Sequence, residues 1–313
     1  MPVTLADIAL ARYRLAPYLQ PTPLEVAPDL HAGAWLKLEN CNRTHSFKIR
    51  GALNAMLALD SAARERGIVA ASSGNHAQAI AYAAQILGLR ARIVMSRHTA
   101  QRKLVGVARY GGEAILHGES YDEAELEARR LEVAHGLTFI SPYNDVDVIA
   151  GAGTIGLEIL DALPQVEQVV VPVGGGGLVS GIAVAIKSLK PSVEVVGVNA
   201  SAGPAMVNAF YGTAHADAYD TLADALPGEI EAGSITLTLA HQWVDRVVMV
   251  SEESVARAMR WMLSVQGWLV EGGGAVGVAA LLDGTLPDDQ RTTAVVVSGA
   301  NVDAGKIAHV LAQ

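Results

Sequence analysis

Cysteine is almost missing from this chain. Cys41 is the one cysteine among 313 residues, so no intramolecular disulfide can form, and a reducing, cytoplasmic setting is expected. Positive charge is also in short supply. Lys and Arg number 23 against 32 Asp and Glu, a formal net charge of −9, and no basic cluster could follow a phosphate backbone. Nucleic acid is therefore not an expected partner. Residues Met1 to Arg14 carry Asp7, Arg12 and Arg14 and lack the apolar core of a secretory signal. An unbroken membrane-length run is absent too. Gln168 to Ile186 is uncharged and close to the ~20 residues that a span needs, but Pro172 and four consecutive glycines interrupt it. It reads as a buried strand, a turn and a buried helix, and no membrane partner is expected. Internal repeats, low-complexity tracts and long charge runs are missing as well, which leaves no regulatory tail to interpret.

What the chain does have is length and apolar mass. Its 313 residues, 51% of them hydrophobic, suffice for two domains with a sizeable buried core. Ala6 to Leu19 reads as a helix ended by Pro21-Thr22-Pro23, and Trp35 to Glu39 alternates as a strand does. From Gly67 strands and helices alternate: strand Ile68 to Ala71, helix Ala77 to Leu87 closed by Gly88, strand Ala91 to Met95, and helix Ala100 to Tyr110 closed by Gly111-Gly112. Strand Glu113 to Leu116, helix Tyr121 to His135 and strand Thr138 to Ile140 continue the series. A second run begins near Asp147, with helix Thr154 to Leu163, strand Val169 to Val173, helix Leu178 to Leu189, strand Val193 to Val198 and a helix near Met206 to Tyr211. Thr213 to Gln242 has weak periodicity and is expected to be loop. Strand Val247 to Val250, helices Glu252 to Gln266 and Ala275 to Leu282, and strand Thr293 to Val297 complete it. Such alternation indicates open α/β sheets.

Three segments follow directly on apolar strands: Ser72-Ser73-Gly74-Asn75-His76, Gly174-Gly175-Gly176-Gly177, and Ser298. Ligands of open α/β sheets gather outside the carboxyl ends of strands, so all three point to one crevice. Four glycines between a strand and a helix let backbone N–H groups approach an anion at a helix N-terminus; alone, the run is equally a tight turn. A dinucleotide fingerprint fails, because Val179 or Ser180 takes the place of its last glycine and the next strand ends at Asn199 instead of an acid. Ser72 to His76 offers hydroxyls, N–H groups and an amide, although helix capping uses the same residues.

The stretch Ser46-Phe47-Lys48-Ile49-Arg50-Gly51-Ala52 organises these pieces. Lys48 lies between an aromatic and a β-branched residue, where a loop runs into a helix for which Ser46 is the expected N-cap. An amine shielded from water loses basicity and becomes a nucleophile or base, as Schiff-base chemistry requires.

This stretch, with Ser72 to Gln78, Val173 to Leu178 and Val297 to Asn301 in that order, resembles the fold-type II pyridoxal-phosphate enzymes, in the serine/threonine dehydratase and serine racemase branch. The resemblance spans nearly the whole chain. It implies two open α/β domains of the tryptophan synthase β-like architecture with pyridoxal 5'-phosphate in the cleft between them. Residues 1–50 and 147–313 would form a discontinuous larger domain and 51–146 the smaller one. It implies that Lys48 holds the cofactor and moves the α-proton, that Gly174, Gly175, Gly176 and Gly177 take the phosphate, that Asn75 meets the ring hydroxyl and Phe47 packs on the ring. Ser298 would face the pyridine nitrogen, and a hydroxyl there makes a weaker electron sink than a carboxylate, favouring fast β-elimination. Ser72, Ser73, Gly74, Asn75 and His76 would hold the substrate carboxylate, with Ser73 able to move a proton on the face opposite Lys48. Glu271 matches a glutamate near the ring, although a surface acid would look the same in sequence.

The activity implied is a lyase that converts L-threonine or L-serine to a 2-oxo acid and ammonia. A serine racemase or a 3-hydroxyaspartate dehydratase uses the same parts, and a non-catalytic binding protein on this fold is a remoter alternative. A homodimer is implied, and no C-terminal effector domain is expected within these residues. The chain departs from the family in three places. His45 stands where glycine is usual, Ala225 follows Asp224 where glycine is common, and Asn199 and Ala205 stand where some relatives place cation-binding acids, so no metal is expected.

Overall fold

The computed structural model describes residues 3–218 and 220–312. Helix α1 (Leu5–Leu15) starts in a capping box, with the Thr4 hydroxyl accepting from the Asp7 N–H and Asp7 reaching back. It ends four residues before the expected Leu19, because Pro17 has no N–H to continue it. Strands β1 (Leu24–Val26) and β2 (Ala34–Leu38), helices α2 (Lys48–Ala58) and α3 (Ser61–Arg66), then β3 (Ile68–Ala71), α4 (Asn75–Leu87) and β4 (Ala91–Met95) follow. Next come α5 (Gln101–Ala108), β5 (Glu113–Leu116), α6 (Tyr121–His135), β6 (Thr138–Phe139) and the long α7 (Val146–Ala162). The remainder is β7 (Gln168–Pro172), α8 (Gly177–Leu189), β8 (Glu194–Ala200), α9 (Ala205–Tyr211), α10 (Ile235–Trp243), β9 (Arg246–Val250), α11 (Glu252–Ser264), α12 (Gly272–Leu282), β10 (Thr293–Val297) and α13 (Ala304–Ala312). No helix of the described residues is long and apolar enough to cross a membrane.

The strands form two sheets. One has six strands in the order β1-β2-β10-β7-β8-β9, parallel throughout except for β1; the other has four parallel strands in the order β5-β4-β3-β6. The valine runs of β7 and β10 are buried along their whole length, as strands covered by helices on both faces should be. Each sheet has a point where successive connections run in opposite directions: between β7 and β10 in the larger, between β3 and β6 in the smaller. The loops leaving those four strands carry every segment that the sequence picked out except the lysine loop, which leaves β2 beside β10.

Helix α2 is locked against α7 by two glycines. A Cβ on Gly151 would lie 2.5 Å from the Arg50 carbonyl oxygen, and one on Gly51 would lie 2.8 Å from the Val148 carbonyl oxygen, so only glycine admits this backbone contact. Polar anchoring reinforces it. The buried Arg50 guanidinium donates to Glu39 through Nε (2.7 Å) and Nη2 (2.9 Å), and to Glu158 through Nη1 (2.6 Å) and Nη2 (2.8 Å). Lys37 Nζ adds a bond to Glu158 at 2.6 Å. Burial works to raise the Glu39 carboxyl, but Arg50, with Lys37 and Thr22, outweighs it and holds the group below its usual range.

Three further expectations need correction. Ser46 is not the cap of α2: Phe47 occupies that position in a helical conformation with no side-chain cap bond, and the Ser46 hydroxyl is buried without a partner among the described residues. Residues 213–242 are not all loop, since Ser234 caps α10, whose Thr-rich start hides a helical period. The helix expected from Thr154 starts at Val146 behind the Asp145 cap. The short α3 and the final α13 had no sequence counterpart.

Replacing Arg50 with Ala leaves Glu39 buried without its main partner. Unfolding of the cofactor-free protein by urea should show a loss of about 3–5 kcal/mol; a loss under about 1 kcal/mol, the range of an exposed pair, would contradict the anchoring role.

Candidate active site

Loops from the carboxyl ends of both sheets meet around Lys48. The residue opens α2, and the chain before it is stitched to the loop after β10: Phe47 N–H donates to the Ser298 carbonyl (3.0 Å) and Ala300 N–H to the His45 carbonyl (2.9 Å). From the other sheet comes the loop after β6, whose Pro142 carbonyl accepts the Lys48 amine at 2.7 Å. The amine also lies 5.0 Å from the centroid of the Phe47 ring. Burial lowers its pKa from 10.5 to about 8, with the Glu271 charge opposing. Roughly a tenth is thus the neutral nucleophile at pH 7, far more than for an ordinary lysine.

A closed set of hydrogen bonds joins the loop after β3 to the larger sheet. Asn75 Nδ2 donates to Glu271 Oε1 (2.7 Å), and Asn75 Oδ1 accepts from Asn301 Nδ2 (2.7 Å). Asn301 Nδ2 also donates to the Thr44 carbonyl (2.8 Å), while its backbone N–H donates to Glu271 Oε2 (3.1 Å). The amide of Asn75 is thereby oriented, with one N–H left to donate. Glu271 is 4% exposed, so it is a site residue and not a surface acid. Burial raises its pKa from 4.5 to about 7 against the Asn75 hydrogen bond, and Asp224 adds to the rise. Ser298 is buried beside it and reaches the Gly273 carbonyl at 3.5 Å.

The glycine loop opens α8. Gly176 has φ 88°, the left-handed region, and a Cβ on Gly175 would lie 2.5 Å from Cγ of the Tyr143 ring. Among the described residues the N–H groups of Gly174, Gly175, Gly176 and Gly177 donate to no protein acceptor. Unused donors at a helix N-terminus suit a phosphate. Together with a weakly basic amine and an oriented amide donor, they fit a phosphorylated aldehyde such as pyridoxal phosphate.

Ser73 Oγ lies 2.9 Å from Thr99 Oγ1, in the loop after β4, and Ser72 Oγ accepts from Gly74 N–H at 3.2 Å. His76 is buried; its Nε2 lies 3.0 Å from the Ile140 carbonyl, and burial with the Lys48 charge lowers its pKa to about 3, so the ring is neutral. Asn199 spends its side chain on backbone, donating to the Val173 carbonyl (2.7 Å) and accepting from Val207 N–H (3.0 Å). His45 is exposed, with φ 56°. Ala225 is exposed on the loop that covers Gly273. Thr99, Asn301, Pro142 and Tyr143 escaped the sequence reading. Asn301 stood at the edge of a recognised segment, whereas the others carry no local signal.

Comparison with known proteins agrees with this geometry. The profile of a family described as pyridoxal-phosphate dependent enzymes matches residues 15–299. An L-threonine ammonia-lyase of Thermotoga maritima is 44% identical, over 99% of this chain and 78% of that protein. Maize serine racemase superposes with a TM-score of 0.92 at 31% identity, over 100% of this chain and 98% of the other. A processed threonine deaminase isoform 2 from Solanum lycopersicum gives 0.90 at 31% identity, over 99% and 94%.

Because folded Glu271 holds its proton more tightly than the unfolded chain does, the stability it contributes is full below its ordinary 4.5 and is lost as pH rises to about 7. Glu271→Gln should flatten this part of the profile, seen as urea midpoints of the cofactor-free variant that change less than wild type across that window. An unaltered slope would place the titration elsewhere.

Proposed function

The chain belongs to the family of pyridoxal-phosphate dependent enzymes, and from that premise we propose that it is an ammonia-lyase acting on L-threonine or L-serine. The observation that carries the proposal is the Lys48 amine, only weakly basic and held at the meeting point of the two sheets. Lys48 would hold the cofactor's aldehyde carbon, the N–H groups of Gly174 to Gly177 its phosphate, Asn75 its ring hydroxyl and Ser298 its ring nitrogen, and Phe47 would pack on its ring. When bound, the cofactor supplies an electron sink that acidifies the substrate α-carbon.

The remaining work belongs to the protein. Lys48, displaced by the substrate amine, is a free base with a pKa of about 8 and removes the α-proton. The electron pair forms the Cα–Cβ double bond as the Cβ–O bond breaks, and the departing hydroxide takes up one proton, the equivalent of the one that Lys48 removed, and leaves as water. Hydrolysis of the released product gives a 2-oxo acid and ammonia. Ser72, Ser73, Gly74, Asn75 and His76 supply the pocket for the substrate carboxylate, with the neutral His76 ring fixing the loop against Ile140. The two-sheet arrangement supports a discontinuous larger domain of residues 1–50 and 147–313 with residues 51–146 inserted. A cytoplasmic homodimer completes the reading.

One contact favours a second activity. The Ser73 hydroxyl, paired with Thr99, has a partner that can pass it a proton, and proton delivery on the face opposite Lys48 is what racemisation needs. Purified, cofactor-loaded protein should release 2-oxo acid and ammonia from L-threonine and L-serine, and Lys48→Ala should reduce this to background. Retention of more than about one hundredth of the rate would sink the assignment, since a general base alone contributes about 10²–10⁴-fold. Ser73→Ala should abolish any D-serine formation from L-serine while elimination from the L-enantiomer persists; loss of both together would place Ser73 in substrate binding alone.

A further inference from the structure

Tyr143 follows Pro142, whose carbonyl holds the Lys48 amine, and its ring lies against Gly175 of the glycine loop. It therefore borders the crevice between the reacting amine and the phosphate loop. Its hydroxyl accepts the N–H of Glu231 at 3.1 Å. Glu231 is pinned in turn: Oε2 accepts from Asn144 Nδ2 (2.7 Å), and Asn144 Oδ1 accepts from the N–H of Ile235, the first residue of α10 (3.1 Å). Tyr121 opens α6 and Glu125 stands one turn further along the same face of that helix, so that the Tyr121 hydroxyl lies in the fields of Glu125, Tyr143 and Glu231. Among the described residues neither Glu125 nor Glu231 forms an ion pair with a lysine or arginine. The local negative charge is uncompensated, and the Tyr143 hydroxyl stays protonated because burial pushes its pKa up to about 12.

We infer that Tyr143, Glu125 and Glu231 form the wall that meets the substrate's side chain, and that this wall admits small neutral side chains and rejects those bearing a second carboxylate. The inference deepens the ammonia-lyase reading and rests on it in taking Lys48 as the reacting amine. A β-hydroxyl or methyl group meets tyrosine hydroxyls and an aromatic edge at no electrostatic cost. A carboxylate at the same place has to be desolvated beside two like charges with no cation to share, which is rejection by repulsion and not by size. Between threonine and 3-hydroxyaspartate, which share the eliminating hydroxyl, the wall selects threonine.

The test uses two amino acids without a β-leaving group, L-2-aminobutyrate and L-aspartate, titrated into the cofactor-loaded protein and followed by the change in cofactor absorbance. Wild type should bind aminobutyrate on the order of a hundredfold more tightly than aspartate, as like charges at partly buried separations imply. Glu231→Gln and Glu125→Gln keep the shape of each side chain and remove its charge. Each should narrow the ratio several-fold, and the pair together by about tenfold or more. Equal binding of the two ligands by wild type, or an unchanged ratio in the folded double variant, would overturn the inference. Neither ligand is turned over, so the outcome is independent of catalysis. If threonine yields no 2-oxo acid while the binding ratio holds, the ammonia-lyase reading fails and the wall stands. If threonine and threo-3-hydroxyaspartate are eliminated equally well, the wall fails and the reading stands.

Discussion

The position of Lys48 depends on a guanidinium two residues further on. Arg50 is 2% exposed and is held from opposite sides by Glu39, just after β2, and Glu158, toward the C-terminal end of α7. Burial opposes its charge, but the two carboxylates outweigh that and raise its pKa. Such an arrangement adds little net stability over a well-packed apolar substitute, since three or four groups have been taken out of water. What it does is discriminate. With the carboxylates fixed on a strand end and a helix, only one rotation and one axial position of α2 satisfy the planar fork. The glycine contacts of Gly51 and Gly151 enforce the same placement sterically. Lys48, on the first turn of that helix, is directed away from this network and toward Pro142.

The second constraint is the crossing between sheets. Asn75 opens α4 of the smaller sheet, whereas Glu271 and Asn301 belong to loops of the larger, so the bonds among them span the crevice. On the rim, Arg102 of α5 pairs with Asp303 and donates to the Asn301 carbonyl at 3.3 Å, and Lys103 lies 3.9 Å from Asp224. Exposed pairs of that kind are worth about 0–1 kcal/mol each and are screened by salt. The interior amide–carboxylate bonds, shielded from water, hold the two sets of loops in register.

Much of this was legible in the sequence because it is local. A lysine between Phe47 and Ile49, four glycines between an apolar strand and an apolar helix, and an asparagine at a strand end each announce a backbone context within ten residues. The alternation of β3 to α6 was read nearly residue for residue for the same reason. The unread part is long-range. Arg50 looked like one more position in a motif, and its partners lie 11 and 108 residues away. Glu271 could be buried or exposed until Asn75, 196 residues distant, was seen to donate to it. Tyr143 and Thr99 sit in loops with no periodicity to betray them. Ser46 misled because a serine before a helix is usually its cap, whereas here the backbone of that residue is committed to a bridge with Gly299. In each case tertiary pairing overrode a local preference.

His45 shows how firmly that bridge is held. Its φ of 56° lies where an L side chain costs roughly 1–2 kcal/mol and glycine costs nothing. The strain persists because the neighbouring backbone leaves no alternative: the His45 carbonyl accepts from Ala300, its own N–H donates to the Asn42 carbonyl, and Ser46 is bridged to Gly299. Relaxing φ would break these bonds and swing the segment that leads into Lys48. The imidazole is exposed, so the side chain itself adds little packing to offset the backbone cost. The turn is therefore stabilised from outside, by the loop after β10, and the strand that places Ser298 is also the one that fixes the approach to the lysine. A single strand end thus sets both the residue assigned to the ring nitrogen and the residue assigned to the aldehyde carbon, and their separation follows from the register of β10 on β2.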